Sequence, residues 1–295
     1  MIRPVNFGFN AETAVNNAFQ VAGYDDAAHE KAAREFDRFV EALRSNGVQV
    51  TVVEDTPQPH TPDSVFPNNW ISFHHDGTVI LYPMFAENRR QERKPHVLEQ
   101  LAGKFAITHT IDLTRYEREQ RFLEGTGSMV LDRDHRIAYA CLSPRTSKEV
   151  LEAFCQTMNY RPVIFTATDS KGRPIYHTNV MMCVADRYVV ICLDSIAAKN
   201  ERENVIAVIK ETGKDVVPIT MEQMNRFAGN MLQVHNQQGE KLLVMSSQAY
   251  GALTPEQVRQ LESYNRIVHA PLDTIETNGG GSARCMMAEV FLPVK

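Results

Sequence analysis

Cysteine is scarce in this chain: there are five among 295 residues, an odd number, with no pair at CxxC spacing. That argues against both a disulfide framework and a structural zinc site. No apolar run approaches the roughly 18–20 residues needed to cross a bilayer. Positive charge is not in excess, with 31 Lys and Arg against 36 Asp and Glu. Neither a nucleic-acid footprint nor a polybasic membrane surface is therefore expected. The opening, MIRPVNFGFNAETAVNN, lacks the basic start and apolar centre of a signal peptide, and the expected compartment is the cytoplasm. Gly/Ser-rich linkers and low-complexity stretches are also missing, so nothing divides residues 1–295 and a single domain is expected.

What is present is an order of elements that keeps returning. Strands over 65–73 and 79–84 turn at Asp76-Gly77, a strong hairpin signal, and lead to a helix over 90–103 and a strand over 105–113. The order repeats with strands 129–132 and 136–142, helix 148–159 and strand 162–165. It repeats again with strands 180–184 and 188–193, helix 198–212 and strand 215–218. A further unit has strands 230–235 and 242–246, turning at Gln238-Gly239, and a helix over 255–264 opened by Pro255. Helix 26–46 and strand 48–54 read as the latter part of a fifth unit. Residues 286–293, together with those near Phe7, would supply its hairpin. Five such units closing around an axis would join the chain ends and remove exposed sheet edges. The alternative is an ordinary α/β sandwich whose βαβ elements only look periodic.

Chemistry falls at matching positions. Asn69, Glu124, His177, Asn230 and Cys285 each precede the first strand of a unit, at intervals of 55, 53, 53 and 55 residues. In a closed ring those places converge on the axis. A lone cysteine is more often a small buried hydrophobe, and a lone histidine or glutamate before a strand is more often structural or solvated. The shared spacing is what singles these out. Cys285, after the flexible run Asn278-Gly279-Gly280-Gly281-Ser282, suits a thiolate nucleophile. His177 would shuttle protons, and Glu124 would orient its ring or bind a substrate nitrogen.

The residues together resemble the guanidino-group-modifying enzymes of the pentein fold, which include arginine deiminase, dimethylarginine hydrolase and the glycine amidinotransferases. The opening RPVNFGFNAET with DSVFPNNW looks more narrowly like the citrulline-utilisation hydrolase, or amidinotransferase-like, branch. The resemblance spans the chain and implies a five-bladed β/α propeller with pseudo-fivefold symmetry. Phe122-Leu123-Glu124-Gly125 resembles the family's Glu-Gly-Gly turn, His177-Thr178-Asn179 its His-Leu-Asp motif, and Gly280 to Cys285 the glycine-rich approach to its nucleophile. Segments around Arg89 and Arg145 look like arginine anchors for a substrate α-carboxylate, which a planar guanidinium binds through two parallel hydrogen bonds. Asp63 matches an acidic position near the substrate.

Two departures stand out. Where relatives acting on arginine carry aspartates, this chain has Asn69 and Asn179. A buried guanidinium without a counter-charge costs about 3–5 kcal/mol, whereas a ureido group matches the donor and acceptor faces of an amide. The expectation is hydrolysis of citrulline or a similar amino acid to ornithine through a covalent Cys285 adduct. Guanidine hydrolysis of arginine or a methylated arginine is the alternative, and a non-catalytic binding scaffold is the alternative of another class. The reaction needs no metal or organic cofactor. The expected partner is a small amino acid, with homo-oligomer formation left open. His74-His75 reads as a solvated hairpin, because adjacent strand residues point to opposite faces. Residues 10–17 read as a lid.

Overall fold

The computed structural model describes residues 1–21 and 27–295. Four three-stranded sheets repeat one plan, an antiparallel hairpin whose second strand then pairs in parallel with a third. Their strands are Ile71–Phe73, Thr78–Leu81 and His109–Asp112; Val130–Asp132, Ile137–Cys141 and Arg161–Phe165; Met182–Val184, Tyr188–Ile191 and Asp215–Pro218; and Leu232–His235, Lys241–Ser246 and Arg266–Ala270. The central strand of each is almost wholly apolar and buried, as in Tyr188–Ile191. Strands covered on both faces read this way.

The fifth unit is shorter than expected. Ile2–Arg3 pairs in parallel with Val53–Glu54, and residues near Phe7 take no part. Residues 286–293 form no strand; Ala288, Val290 and Leu292 pack against Ile2, Val53 and Trp70 without a ladder. Among the described residues the sheets are separate, and none closes on itself. Helix Ala28–Ser45 lies between the two strands of this unit and buries Ala32, Phe36, Phe39, Val40 and Leu43 at helical spacing against Val268 and Ala270. Its expected start at Asp26 lies outside the described residues.

Several elements are shorter than the sequence pattern, for local reasons. The helix expected over 90–103 begins at Pro95, whose ring suits the first turn, and a separate turn, Glu87–Arg90, precedes it. Pro67 likewise opens a 3₁₀ turn, Pro67–Asn69, so the strand expected from 65 starts at Ile71. Thr254 and Gln257 cap helix Pro255–Glu262 reciprocally.

Neighbouring units are stitched at one level. Thr126 Oγ1 donates to Asn68 O at 3.3 Å, Thr178 Oγ1 to Ser128 O at 2.6 Å, and Asn230 Nδ2 to Asn179 O at 2.9 Å. The Arg284 N–H donates to Asn230 Oδ1 at 3.0 Å. Gly279 then packs on Phe66, so closely that a Cβ would fall 2.8 Å from the ring. Contacts thus run from the first unit through to the last and back to the first.

Candidate active site

Each of the five evenly spaced residues sits in or beside a tight turn, which for all but Cys285 leads toward a strand. Glu124 heads the turn Gly125–Ser128 and His177 heads Thr178–Met181. The turns bring Glu124 and His177, which are 53 residues apart, into contact: His177 Nε2 lies 2.7 Å from Glu124 Oε2. Gly127 makes room for this meeting. A Cβ there would lie 2.3 Å from Asn69 Nδ2 and 2.8 Å from His177 Nδ1.

Both groups are buried. Burial alone would raise the Glu124 carboxyl, but Arg145, the bond from His177 and Arg89 together hold it well below the usual carboxylate range. Burial pushes His177 down to about 4, against the upward pull of Glu124. The pair at neutral pH is a carboxylate and a neutral imidazole. A carboxylate only accepts, so Nε2 carries the proton and Nδ1 is left as the acceptor. Glu124 Oε1 also accepts the Phe85 N–H at 2.9 Å.

Cys285 is buried and faces two carboxamides, Asn230 Nδ2 at 3.3 Å and Asn179 Nδ2 at 3.5 Å. Cys285, His177, Asn69, Asp63, Arg89 and Arg145 line one small cavity, in which water-molecule centres have about 10 Å³. That is roughly one water. Residues 10–20 roof it. Asn17 Nδ2 donates to Gly280 O at 3.2 Å, and Gln20 Nε2 to Asn278 O at 2.8 Å.

The acidic and basic residues differ in how fully they are engaged. Asp63 Oδ2 accepts from Asn10 Nδ2 at 2.8 Å and Thr13 Oγ1 at 3.2 Å, while its buried Oδ1 has no hydrogen-bond partner among the described residues. Burial raises this carboxyl above its ordinary value. Arg145 forks around Asn16 Oδ1, from Nε at 2.8 Å and Nη2 at 2.5 Å, and also meets Thr13 O and Glu124. Its fork is the geometry that would take a carboxylate. Arg89 is engaged otherwise than expected of a carboxylate anchor. Its Nε and Nη2 grip Glu92 at 2.8 and 3.0 Å, Nη2 also reaches Phe66 O, and Nη1 bonds Asn69 Oδ1 at 2.8 Å. Four of the five N–H donors of a guanidinium are thereby used.

The two asparagines that suggested a ureido substrate are engaged as well. Asn69 bonds Arg89 and Asn68, and Asn179 turns its amide toward Sγ of Cys285. His74 is also not solvated: it is buried with Nε2 3.0 Å from Ser72 Oγ, and burial lowers it to about 3. Sequence reasoning left Thr13, Phe66 and Tyr176 out of the site, although all three line the cavity. Tyr176 donates its hydroxyl to Gly280 O at 2.5 Å and lies under Arg145. The molecule's larger groove, about 860 Å³, holds none of the candidate residues, and it carries ion pairs of its own, such as Lys214 with Asp132 at 3.2 Å.

A family model described as N,N dimethylarginine dimethylhydrolase, eukaryotic, matches residues 3–292. The chain belongs to that family. The dimethylarginine dimethylhydrolase family places it among hydrolases acting on non-peptide carbon–nitrogen bonds, within the guanidino-modifying pentein enzymes. No curated protein sequence matches it. Among solved structures, ArgZ, an arginine dihydrolase from the ornithine–ammonia cycle in cyanobacteria, superposes with a TM-score of 0.78 at 17% identity, over 100% of this chain and 40% of that one. The chain thus spans less than half of full-length ArgZ. The N-terminal domain of ArgZ, in an asparagine-to-serine form covalently bound to a reaction intermediate, gives 0.77 at 18% identity, over 99% and 98%. A dimethylarginine dimethylaminohydrolase adduct with S-methyl-L-thiocitrulline gives 0.63 at 13% identity, over 97% and 96%. These likenesses establish a shared α/β fold.

Proposed function

We propose that the chain is a guanidino hydrolase of free arginine or a methylated arginine, with Cys285 as nucleophile, His177 as proton carrier and Glu124 as its partner. Residues 1–295 would form one catalytic domain whose five units close around an axis, a reading supported by the stitched turns. The observation that carries the substrate class is the charge of the cavity. Two guanidinium groups, Arg89 and Arg145, stand among three carboxyl groups, Asp63, Glu92 and Glu124, and Asp63 Oδ1 is buried without a hydrogen-bond partner among the described residues. One carboxylate is in excess. A citrulline zwitterion brings no net charge to match it, whereas arginine brings one positive charge. The guanidino alternative is thereby favoured over the ureido reading, and the names of the family and of the similar structures point the same way.

In the proposed course Cys285 Sγ attacks the guanidino carbon. Cys285 gives its thiol proton to His177 Nδ1 as it attacks, and the departing amine takes that proton from the resulting imidazolium, leaving a thiouronium on sulfur. Water, deprotonated by His177, then displaces the sulfur and gives citrulline. Arg145 would exchange Asn16 for the substrate α-carboxylate, and Asp63 would accept from a substrate nitrogen.

Rates with arginine, methylated arginines and citrulline test this, with citrulline, ornithine and ammonia each measured. Guanidino substrates should exceed citrulline in kcat/KM by about a hundredfold or more, as an unmatched buried charge of about 3 kcal/mol or more implies. Cys285→Ala should abolish turnover. Faster hydrolysis of citrulline than of any guanidino substrate would overturn the proposal. Ornithine formed from arginine would mark the dihydrolase course that the name of ArgZ describes.

A further inference from the structure

Asn230 shares the spacing of the other four central residues, yet the mechanism above gives it no part. Its carboxamide is wholly buried and its orientation is fixed by the backbone on both sides. Oδ1 accepts the Arg284 N–H at 3.0 Å, and Nδ2 donates to the Asn179 carbonyl at 2.9 Å. A flipped amide would set carbonyl against carbonyl and N–H against N–H. The second Nδ2 hydrogen is therefore held toward Cys285 Sγ, 3.3 Å away. We propose that Asn230 is a catalytic residue, a fixed hydrogen-bond donor that stabilises Cys285 as the attacking thiolate; this rests on the reading of Cys285 as nucleophile.

The contact lengths favour sulfur as the acceptor. Sγ lies 3.7 Å from Asn230 Oδ1 against 3.3 Å from Nδ2, and 3.9 Å from Asn179 Oδ1 against 3.5 Å from its Nδ2. The charged and titratable groups around the same cavity are His177, Asp63, Arg89, Arg145 and Tyr176, with Glu124 behind His177. Arg89 and Arg145 already face carboxylates. Neutral amide dipoles are thus the donors at the sulfur, and they cost no reorganisation when the charge forms. Because Asn230 also holds the Arg284 N–H, the same carboxamide fixes the turn that carries the nucleophile.

The test is the ultraviolet titration of the thiolate, taken as the difference between each protein and its own Cys285→Ser form. Burial pushes Cys141 up to about 11 and Cys155 and Cys183 up to about 12, so those thiols ionise late. Asn230→Ala should move the Cys285 midpoint up by about one pH unit or more, the size of a hydrogen bond to a charged group, and lower kcat/KM at neutral pH by about tenfold or more. Asn230→Asp keeps an acceptor for the Arg284 N–H but sets a carboxylate at the sulfur, and should move the midpoint further. If Asn230→Ala does not fold, Asn230→Asp carries the test. An Asn230→Asp protein with a native unfolding transition and an unmoved midpoint would overturn the proposal. A wild-type protein that hydrolyses no guanidino substrate, with the midpoint still shifting in the variants, would defeat the proposed function and leave the donor role intact.

Discussion

At the scale of single residues, the site is built from groups whose burial opposes their charge. His177 and Glu276 illustrate the two signs. Burial holds His177 at about 4, below its ordinary 6.5, so its contribution to stability is present above 6.5 and is lost as pH falls through 4. Glu276 goes the other way. It anchors the glycine-rich approach to Cys285 by accepting Ser282 Oγ–H at 2.5 Å and Gln248 Nε2–H at 2.7 Å, and burial raises it from 4.5 to about 7. The native protein keeps that proton longer than the unfolded chain does. The stability it contributes is complete below 4.5 and is lost as pH rises through 7. Glu276→Gln removes this dependence and leaves the His177 effect in place. Urea unfolding at about pH 5 and about pH 8 should show wild type losing up to about 3 kcal/mol more than Glu276→Gln across that interval. Equal losses would mean that Glu276 is ionised throughout.

At the scale of elements, residues 10–20 act as a roof tied down at both edges. The short helix Ala11–Ala14 is capped by Asn10, whose side chain accepts the Glu12 N–H at 3.1 Å and donates to Asp63. The other edge is tied by Asn17 and Gln20 to the carbonyls of Gly280 and Asn278. Gly280, at φ +64, turns its carbonyl both to Asn17 and to the Tyr176 hydroxyl. The left-handed backbone there favours glycine, and a Cβ would also fall 2.5 Å from Asn17 Nδ2. Since Asn16 occupies the fork of Arg145, this roof must move before a carboxylate can bind. Asn17→Ala combined with Gln20→Ala removes two buried hydrogen bonds of about 1 kcal/mol each. Amide exchange over residues 10–20 should quicken by about ten- to thirtyfold, with the four sheets unaffected. Unchanged exchange over that segment would show that these two ties do not hold the roof.

At the scale of the whole molecule, the repeat was readable because each hairpin and each crossover helix leaves a local signature. Asp76-Gly77 and Gln238-Gly239 are turns where the pattern put them. The spacing of Asn69, Glu124, His177, Asn230 and Cys285 was readable for the same reason: Asn69, His177 and Cys285 line one cavity, with Glu124 bonded to His177 and Asn230 bonded to Cys285. What could not be read is set by contacts between distant residues. Tyr176 reaches Gly280, Arg145 reaches Asn16, and no local pattern encodes either. The ureido expectation has less support than the guanidino alternative on this point: a change from carboxylate to amide at position 69 says little until Arg89 is seen to bond that amide and Glu92 to pair with Arg89. The fifth unit was misjudged because Ile2–Arg3 is only two residues long, too short to carry a period.

The central claim is that these scattered residues make a covalent catalyst at Cys285. Acid quenching of the protein during turnover of arginine, followed by intact-mass and peptide-mass analysis, tests it most directly. The expected result is an added mass of arginine less ammonia, confined to the peptide bearing Cys285 and missing from Cys285→Ser. Turnover of arginine that persists in Cys285→Ser, or an adduct on any other residue, would contradict it.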